Sequence, residues 1–241
     1  MSIDNIDGKQ RGLMNTTYTV KRSRKRKKTI SLQVSADAKI IVSAPCFTPA
    51  DEIRRFVGEK QGWIDKTVAR QKKENAQRKD KDYETGEQFL YLGQFYPLEA
   101  FFEPFENAGI VFRNDRFYLN CRRDKALRKH YFVSWYKKKA DALIRHRIDF
   151  FSRMLNLPYK RIRITCAESR WGSCSEDNRM AFSYRLIMAP PDVVDYVIVH
   201  ELMHIREKNH SSRFWQNVED VMPSYKAQRR WLKDNHEKFV L

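Results

Sequence analysis

The stretch VVDYVIVHELMHI, residues 193–205, constrains this chain more than any other. Its apolar side chains fall on nearly every face of a helix, the pattern of a helix enclosed by a domain rather than laid on its surface. In its second half three polar residues, His200, Glu201 and His204, interrupt that pattern. Burying such groups without partners costs several kcal/mol, and a shared cation removes the cost. His200 and His204 are four residues apart, which stacks them on one face, near enough to hold one ion. Glu201 is turned about 100° around the axis, where its carboxylate can reach a water on that ion without ligating it. This is the HExxH arrangement of zinc hydrolases.

Pro190 and Pro191 stop the preceding segment, and Asp192 reads as the cap of the helix. His210 follows His200 by ten residues, the third-ligand spacing of the pattern HExxHxxGxxH. On a continued helix it would sit about 15 Å further along the axis, so the chain must turn between Ile205 and His210. Glu207 stands where that pattern has its glycine. Lys208-Asn209 offers the turn instead, because asparagine tolerates the left-handed conformation that ends helices. Ser211 or Ser212 then caps a helix with Phe214, Trp215, Val218, Val221 and Met222 on its apolar side. Glu207, Glu219 and Asp220 are alternative third ligands. His130, His146 and His236 lack such a setting.

Upstream, Thr17–Val20, Thr29–Val34 and Lys39–Ala44 are short β-rich runs that read as a small antiparallel sheet. A helix follows from Thr48-Pro49 through Val68, with a bend or break near Gly62. Residues 71–82, QKKENAQRKDKD, form a polar helix end or linker. Phe89–Phe102 and Ile110–Leu119 read as further strands, with a turn at Asn114-Asp115. Lys125–Leu155 is a long helix closed by Pro158. Ile162–Cys166 and Met180–Met188 read as a strand pair. The expected class is α+β: an antiparallel β-rich N-terminal region with one helix, residues 1–124, and a domain built on the buried HExxH helix, residues 125–241.

The net charge of +17 is unevenly spread: residues 166–241 hold 11 Lys and Arg against 11 Asp and Glu, so the whole excess lies upstream. Its densest part is KRSRKRKK, Lys21–Lys28. Such a run is either a polyanion patch, for nucleic acid, a nucleotide or an acidic segment, or a solvated surface. Four cysteines without a CxxC pair speak against a thiolate zinc site and for reduced thiols. The first ten residues do not read as a secretory leader, and no apolar run approaches the roughly 18 residues of a membrane span. A cytoplasmic protein is expected.

ESRWGSC, residues 168–174, precedes the second strand of the pair. A strand beside a zinc helix can offer its edge to an extended substrate, and Gly172 permits close backbone approach. Arg170 and Trp171 are candidates for substrate contact or, equally, rim and core residues. RWGSC, then RLIMAPP, YVIVHELMH and NHSSRFW in that order, with RKRKKTISLQV, IIVSAP and the helix through GWI upstream, resembles the YgjP-like metallopeptidases, a family akin to the SprT and WLM groups. Glu168-Ser169 and the stretch from Asn75 to Asp82 are its less usual pieces. The resemblance implies a zincin-like catalytic domain with Zn2+ on His200, His204 and His210 and Glu201 as general base.

The mechanism expected on this reading is hydrolysis of a peptide bond by a zinc-bound water that Glu201 activates. The ion, with Tyr225 or Arg170 as a donor, stabilises the oxyanion. Two competitors remain. One is hydrolysis of a nucleoside triphosphate with N-terminal cations on the phosphates, although the chain lacks a phosphate-cradling GxxxxGK[ST] loop. The other is a nucleic-acid-binding protein with a structural metal, which leaves Glu201 without a task and the metal one protein ligand short.

Overall fold

The computed structural model describes residues 5–11, 16–24, 26–35, 37–77, 81–104, 107–168, 170–239 and 241, for 5–11 and 73–77 the backbone alone. Lys25 of the basic run, residues 78–80 of the polar stretch and Ser169 lie outside the described residues. The chain forms two compact units that divide between residues 79 and 80, not between 124 and 125. The boundary moves because the strands after residue 80 share one core with the long helix and the HExxH helix.

In the first unit, strands β1 (Asn5–Arg11), β2 (Thr17–Ser23), β3 (Ser31–Val34) and β4 (Ile40–Pro45) make a sheet of order β1-β2-β4-β3. The sheet is mixed rather than antiparallel. Because β4, not β3, lies beside β2, the reversals at the two ends of β3 leave β2 and β4 parallel. Val20, Val42 and Ala44 from the sheet pack on Ile53 and Val57 of α1 (Ala50–Glu59) and Ile64 of α2 (Gln61–Gln77). The expected helix break falls at Lys60, just ahead of Gly62. Arg22 of the basic run ties the unit internally, donating to the carbonyls of Cys46 at 3.0 Å and Thr48 at 2.7 Å.

The second unit opens with β5 (Gln88–Tyr91), β6 (Gln94–Phe101), β7 (Gly109–Arg113) and β8 (Arg116–Asn120), ordered β5-β6-β8-β7 with β6 and β8 parallel. This repeats the connectivity of the first sheet, although the sequence shows no repeat. Asn114 and Asp115 turn β7 into β8 with φ of 48° and 55°, the left-handed pair that matches the twist of a two-residue hairpin. Helix α3 (Lys125–Leu155) starts where the Asp124 carboxylate accepts from the Leu127 amide at 2.9 Å, and ends at Asn156, φ 52°. Its buried Arg128 donates to the carbonyls of Tyr83 (2.9 Å), Cys121 (3.1 Å) and Arg122 (3.2 Å) and pairs with Glu84 at 3.0 Å. That guanidinium fastens the start of α3 to the segments flanking the sheet.

A second, three-stranded sheet has the order β10-β11-β9, where β9 is Arg161–Thr165, β10 Gly172–Cys174 and β11 Arg179–Ser183. The strand expected to continue to Met188 stops at Ser183. Residues Tyr184–Met188 instead wind into a 3-10 helix whose Tyr184, Leu186, Ile187 and Met188 are all buried, so the apolar run there reflects enclosure rather than alternation. Helix α4 (Pro191–Arg206) follows, with Pro190 rather than Asp192 at its N-cap and Pro191 in the first-turn position where a missing amide costs nothing. The β5–β6 turn fixes its entry. The amides of Leu92 and Gly93 donate to the carbonyls of Ile187 (3.0 Å) and Met188 (2.8 Å), and a Cβ on Gly93 would stand 2.7 Å from Pro190 Cγ. Arg147 of α3 holds α4 laterally through Asp195, Nε to Oδ1 2.6 Å. Helices α5 (Ser212–Val221) and α6 (Tyr225–Asn235) then pack against α4. No helix among the described residues is long and apolar enough to cross a membrane.

Candidate metal centre

Helix α4 buries ten of its residues, among them Glu201 at 5% and His204 at 9% exposure. It ends at Arg206, and Glu207 takes an extended conformation (φ −136°) that turns the chain back. The Glu207 carbonyl accepts from His204 Nδ1 at 3.0 Å. That bond sets the tautomer, leaving Nε2 with its lone pair as the ligand atom. Asn209 Oδ1 then accepts from the Ser211 amide at 3.0 Å, and Ser211 Oγ accepts from the Phe214 amide at 3.3 Å, starting α5. His210 is held between these two side-chain bonds. Its Nε2 lies 3.0 Å from His200 Nε2.

One ligand atom from each of His200, His204 and His210 falls within 4.8 Å of the others. Two ligands at the usual zinc–nitrogen distance in tetrahedral geometry stand about 3.3 Å apart, so the imidazoles fit a single small cation. Their protonation suits it as well. Burial, with the neighbouring imidazoles and Arg229 adding to it, lowers His200 to about 3. Burial also lowers His204. Both rings therefore offer neutral nitrogen at neutral pH. The alternative third ligands are engaged elsewhere: Glu219 pairs with Lys226 at 2.9 Å, Asp220 accepts from Gln216 at 2.8 Å, and Glu207 faces Arg213 at 3.9 Å.

Glu201 lies against β10. A Cβ on Gly172 would stand 2.6 Å from Glu201 Oε1 and 2.7 Å from its Cγ, so only glycine lets the strand come this close. Enclosure raises the Glu201 carboxyl to about 8, with Arg170 pulling the other way. β10 is the edge of its sheet, paired on one side with β11 alone among the described strands. The remaining residues singled out from the sequence divide. Arg170 is exposed and acts electrostatically on Glu201. The Trp171 ring is half-buried and packs on Phe239 at 4.6 Å, a core contact. Tyr225 is buried, its ring stacked between Trp215 (5.4 Å) and Tyr196 (6.4 Å).

Phe214 carries a role that its periodicity did not disclose. Its ring packs on all three imidazoles, 4.9 Å from His200, 4.5 Å from His204 and 4.7 Å from His210. In the sequence it is one apolar residue among five on its helix. Only the serine cap three residues ahead of it hinted that it would sit in the first turn, beside His210.

The model of the YgjP-like family, metallopeptidase domain, matches residues 28–235. The chain belongs to that family. A YgjP-like chain is accordingly a metal-dependent peptidase in broad class, and this one presents a histidine trio able to take up the ion. No curated protein matches the sequence. Among solved structures, the metallopeptidase zymogen of Pyrococcus abyssi abylysin is similar, at 22% identity over 39% of this chain and 93% of that chain, with a TM-score of 0.33.

Proposed function

We propose that this YgjP-like protein is a zinc-dependent peptidase whose catalytic unit spans residues 80–241. The observation that carries the reading is the convergence of His200, His204 and His210 beside a buried carboxylate, Glu201, that touches an edge strand. Among the described residues no fourth protein ligand joins the three imidazoles, which is the donor set of a catalytic rather than a structural zinc site. When bound there, zinc supplies Lewis acidity that polarises the scissile carbonyl and makes water reactive near neutral pH.

The protein's own part is orientation and proton transfer. The His204–Glu207 bond and the Phe214 ring keep the imidazoles in place. Glu201 accepts a proton from the attacking water and returns it to the leaving nitrogen. A nearby divalent charge favours its ionised form, countering the burial that favours the acid. The free edge of β10 receives the peptide as an added strand, which lays a scissile bond beside Glu201. Arg170, at the head of that strand, is the nearer candidate for a substrate contact; Tyr225 and Trp171 support the walls. Four free cysteines suit a reducing, cytoplasmic setting.

Metal analysis combined with Glu201→Gln tests the assignment. Expected are about one zinc per chain in both proteins and hydrolysis of an unstructured casein-type substrate by the parent alone. Undiminished turnover in Glu201→Gln, or failure of the parent to retain zinc after reconstitution, refutes it.

A further inference from the structure

Several arginines in the second unit are paired with carboxylates. Arg147 is paired with Asp195, Arg185 with Glu168 at 2.7 Å, Arg179 with Asp177 at 2.9 Å and Arg213 with Glu207 at 3.9 Å. Two others are not: Arg229, whose ring partner Trp215 borders the histidine trio, and Arg170, two residues ahead of the Gly172 that touches Glu201. Among the described residues, Arg170 and Arg229 are exposed and neither forms a salt bridge.

Arg229 lies one turn beyond Tyr225 on α6, on the same helical face. Its guanidinium stands 4.7 Å from the centre of the Trp215 ring, and that ring lies 5.6 Å from both His200 and His210. Trp215 is backed in turn by Tyr225, stacked at 5.4 Å and 16°. A guanidinium laid on an aromatic face keeps its in-plane N–H groups free for a carboxylate. The charge of Arg229 is felt at His200 and Tyr196, and that of Arg170 at Glu201. Lys208 adds its charge at His204, so with a divalent ion on the imidazoles the cations felt at these buried groups would be the ion, Arg229, Arg170 and Lys208, beside the Glu201 carboxylate. Such an excess favours a substrate that brings negative charge of its own.

We propose that Arg229 and Arg170 form an anion subsite and that the substrates are peptides carrying a carboxylate close to the scissile bond. Arg229 receives it from the α6 side and Arg170 from the β10 side. The carboxylate comes from an acidic side chain or from the peptide C-terminus. The inference rests on the peptidase reading above.

The test uses the zinc-loaded full chain and quenched fluorescent peptides that differ at one position, Glu, Gln or Lys, each with a free or an amidated C-terminus. The Glu peptides should be cleaved with kcat/KM about 10-fold or more above their Gln counterparts, the difference lying in KM. A fall of about 10-fold on amidation, whatever the variable residue, would instead assign the subsite to the C-terminal carboxylate. Arg229→Gln should bring the Glu-to-Gln ratio close to one, and Arg229→Glu should invert it in favour of Lys. A second readout needs no turnover: tryptophan-fluorescence titration of zinc-loaded Glu201→Gln with the same peptides, where the Glu peptide should bind more tightly and lose its advantage in added salt.

Hydrolysis without any charge preference overturns the subsite and leaves the peptidase reading standing. Carboxylate-selective binding without hydrolysis of any peptide by the parent keeps the subsite and overturns the peptidase reading. Nucleoside triphosphate bound more tightly than the Glu peptide, with that binding lost in Arg229→Gln, overturns the peptide assignment in favour of a phosphate ligand.

Discussion

Gly172→Ala is the sharpest perturbation of the proposed chemistry, because it moves Glu201 without touching a metal ligand. The added methyl would stand 2.6 Å from Oε1, 2.7 Å from Cγ and 2.8 Å from Cδ of Glu201, where ordinary contact begins at 3.4 Å. The carboxylate must therefore withdraw by about 0.8 Å or the strand must yield. Neither is easy: Glu201 is 5% exposed, and β10 is pinned to β11 through Gly172–Phe182, Ser173–Ala181 and Cys174–Met180. Displacements of about 1 Å at a reacting group cost on the order of 10²-fold in rate, and overpacking costs about 1–3 kcal/mol of stability. We expect kcat on a casein-type peptide to fall by roughly 10²-fold. Zinc affinity, measured by chelator competition, should stay within about 3-fold, a change of less than 1 kcal/mol. The double variant Gly172→Ala with Glu201→Gln should be no slower than Glu201→Gln alone, since both act through one carboxylate. An unchanged kcat in Gly172→Ala, or losses that simply multiply in the double variant, would refute the claim that this strand positions the base.

Removal of a proposed ligand should show in metal affinity first: His210→Ala is expected to weaken zinc binding by more than about 10²-fold, the upper range for loss of a mere outer-shell partner, in the same chelator assay. In the metal-free protein, burial depresses His200 from 6.5 to about 3 and lowers His204 as well. Below pH 6.5 the unfolded chain takes up protons that the folded one refuses, so stability should be full above that pH and decline on acidification by roughly 1 kcal/mol per pH unit for His200. Urea titrations at stepped pH measure it, and His200→Phe should flatten the slope. Arg128→Met leaves three backbone carbonyls without their donor in a buried place; a loss of about 3–5 kcal/mol is expected, read as a fall in the denaturation midpoint, with the zinc affinity of the folded protein unchanged.

The local sequence alone determined the pieces of this protein. A helix apolar all round had to be enclosed, and polar residues at 200, 201 and 204 had to find a common partner, because burying them singly costs too much. The long apolar-patterned run closed by Pro158 made α3 legible over Lys125–Leu155, and the structure adds the Asp124 cap and the left-handed Asn156 that fix its two ends. Asn114-Asp115 specified its hairpin in the same local way. What the sequence left open was every relation between segments distant along the chain. Strand direction is one: no residue in β2 states that β4 rather than β3 will lie beside it. Enclosure is another, since the buried 3-10 helix at Tyr184–Met188 reads locally like a strand. The contact of Gly172 with Glu201, the ring of Phe214 under three imidazoles and the approach of Arg229 to Trp215 are likewise products of packing. Periodicity reports which face a side chain occupies, whereas the tertiary fold alone decides what that face meets.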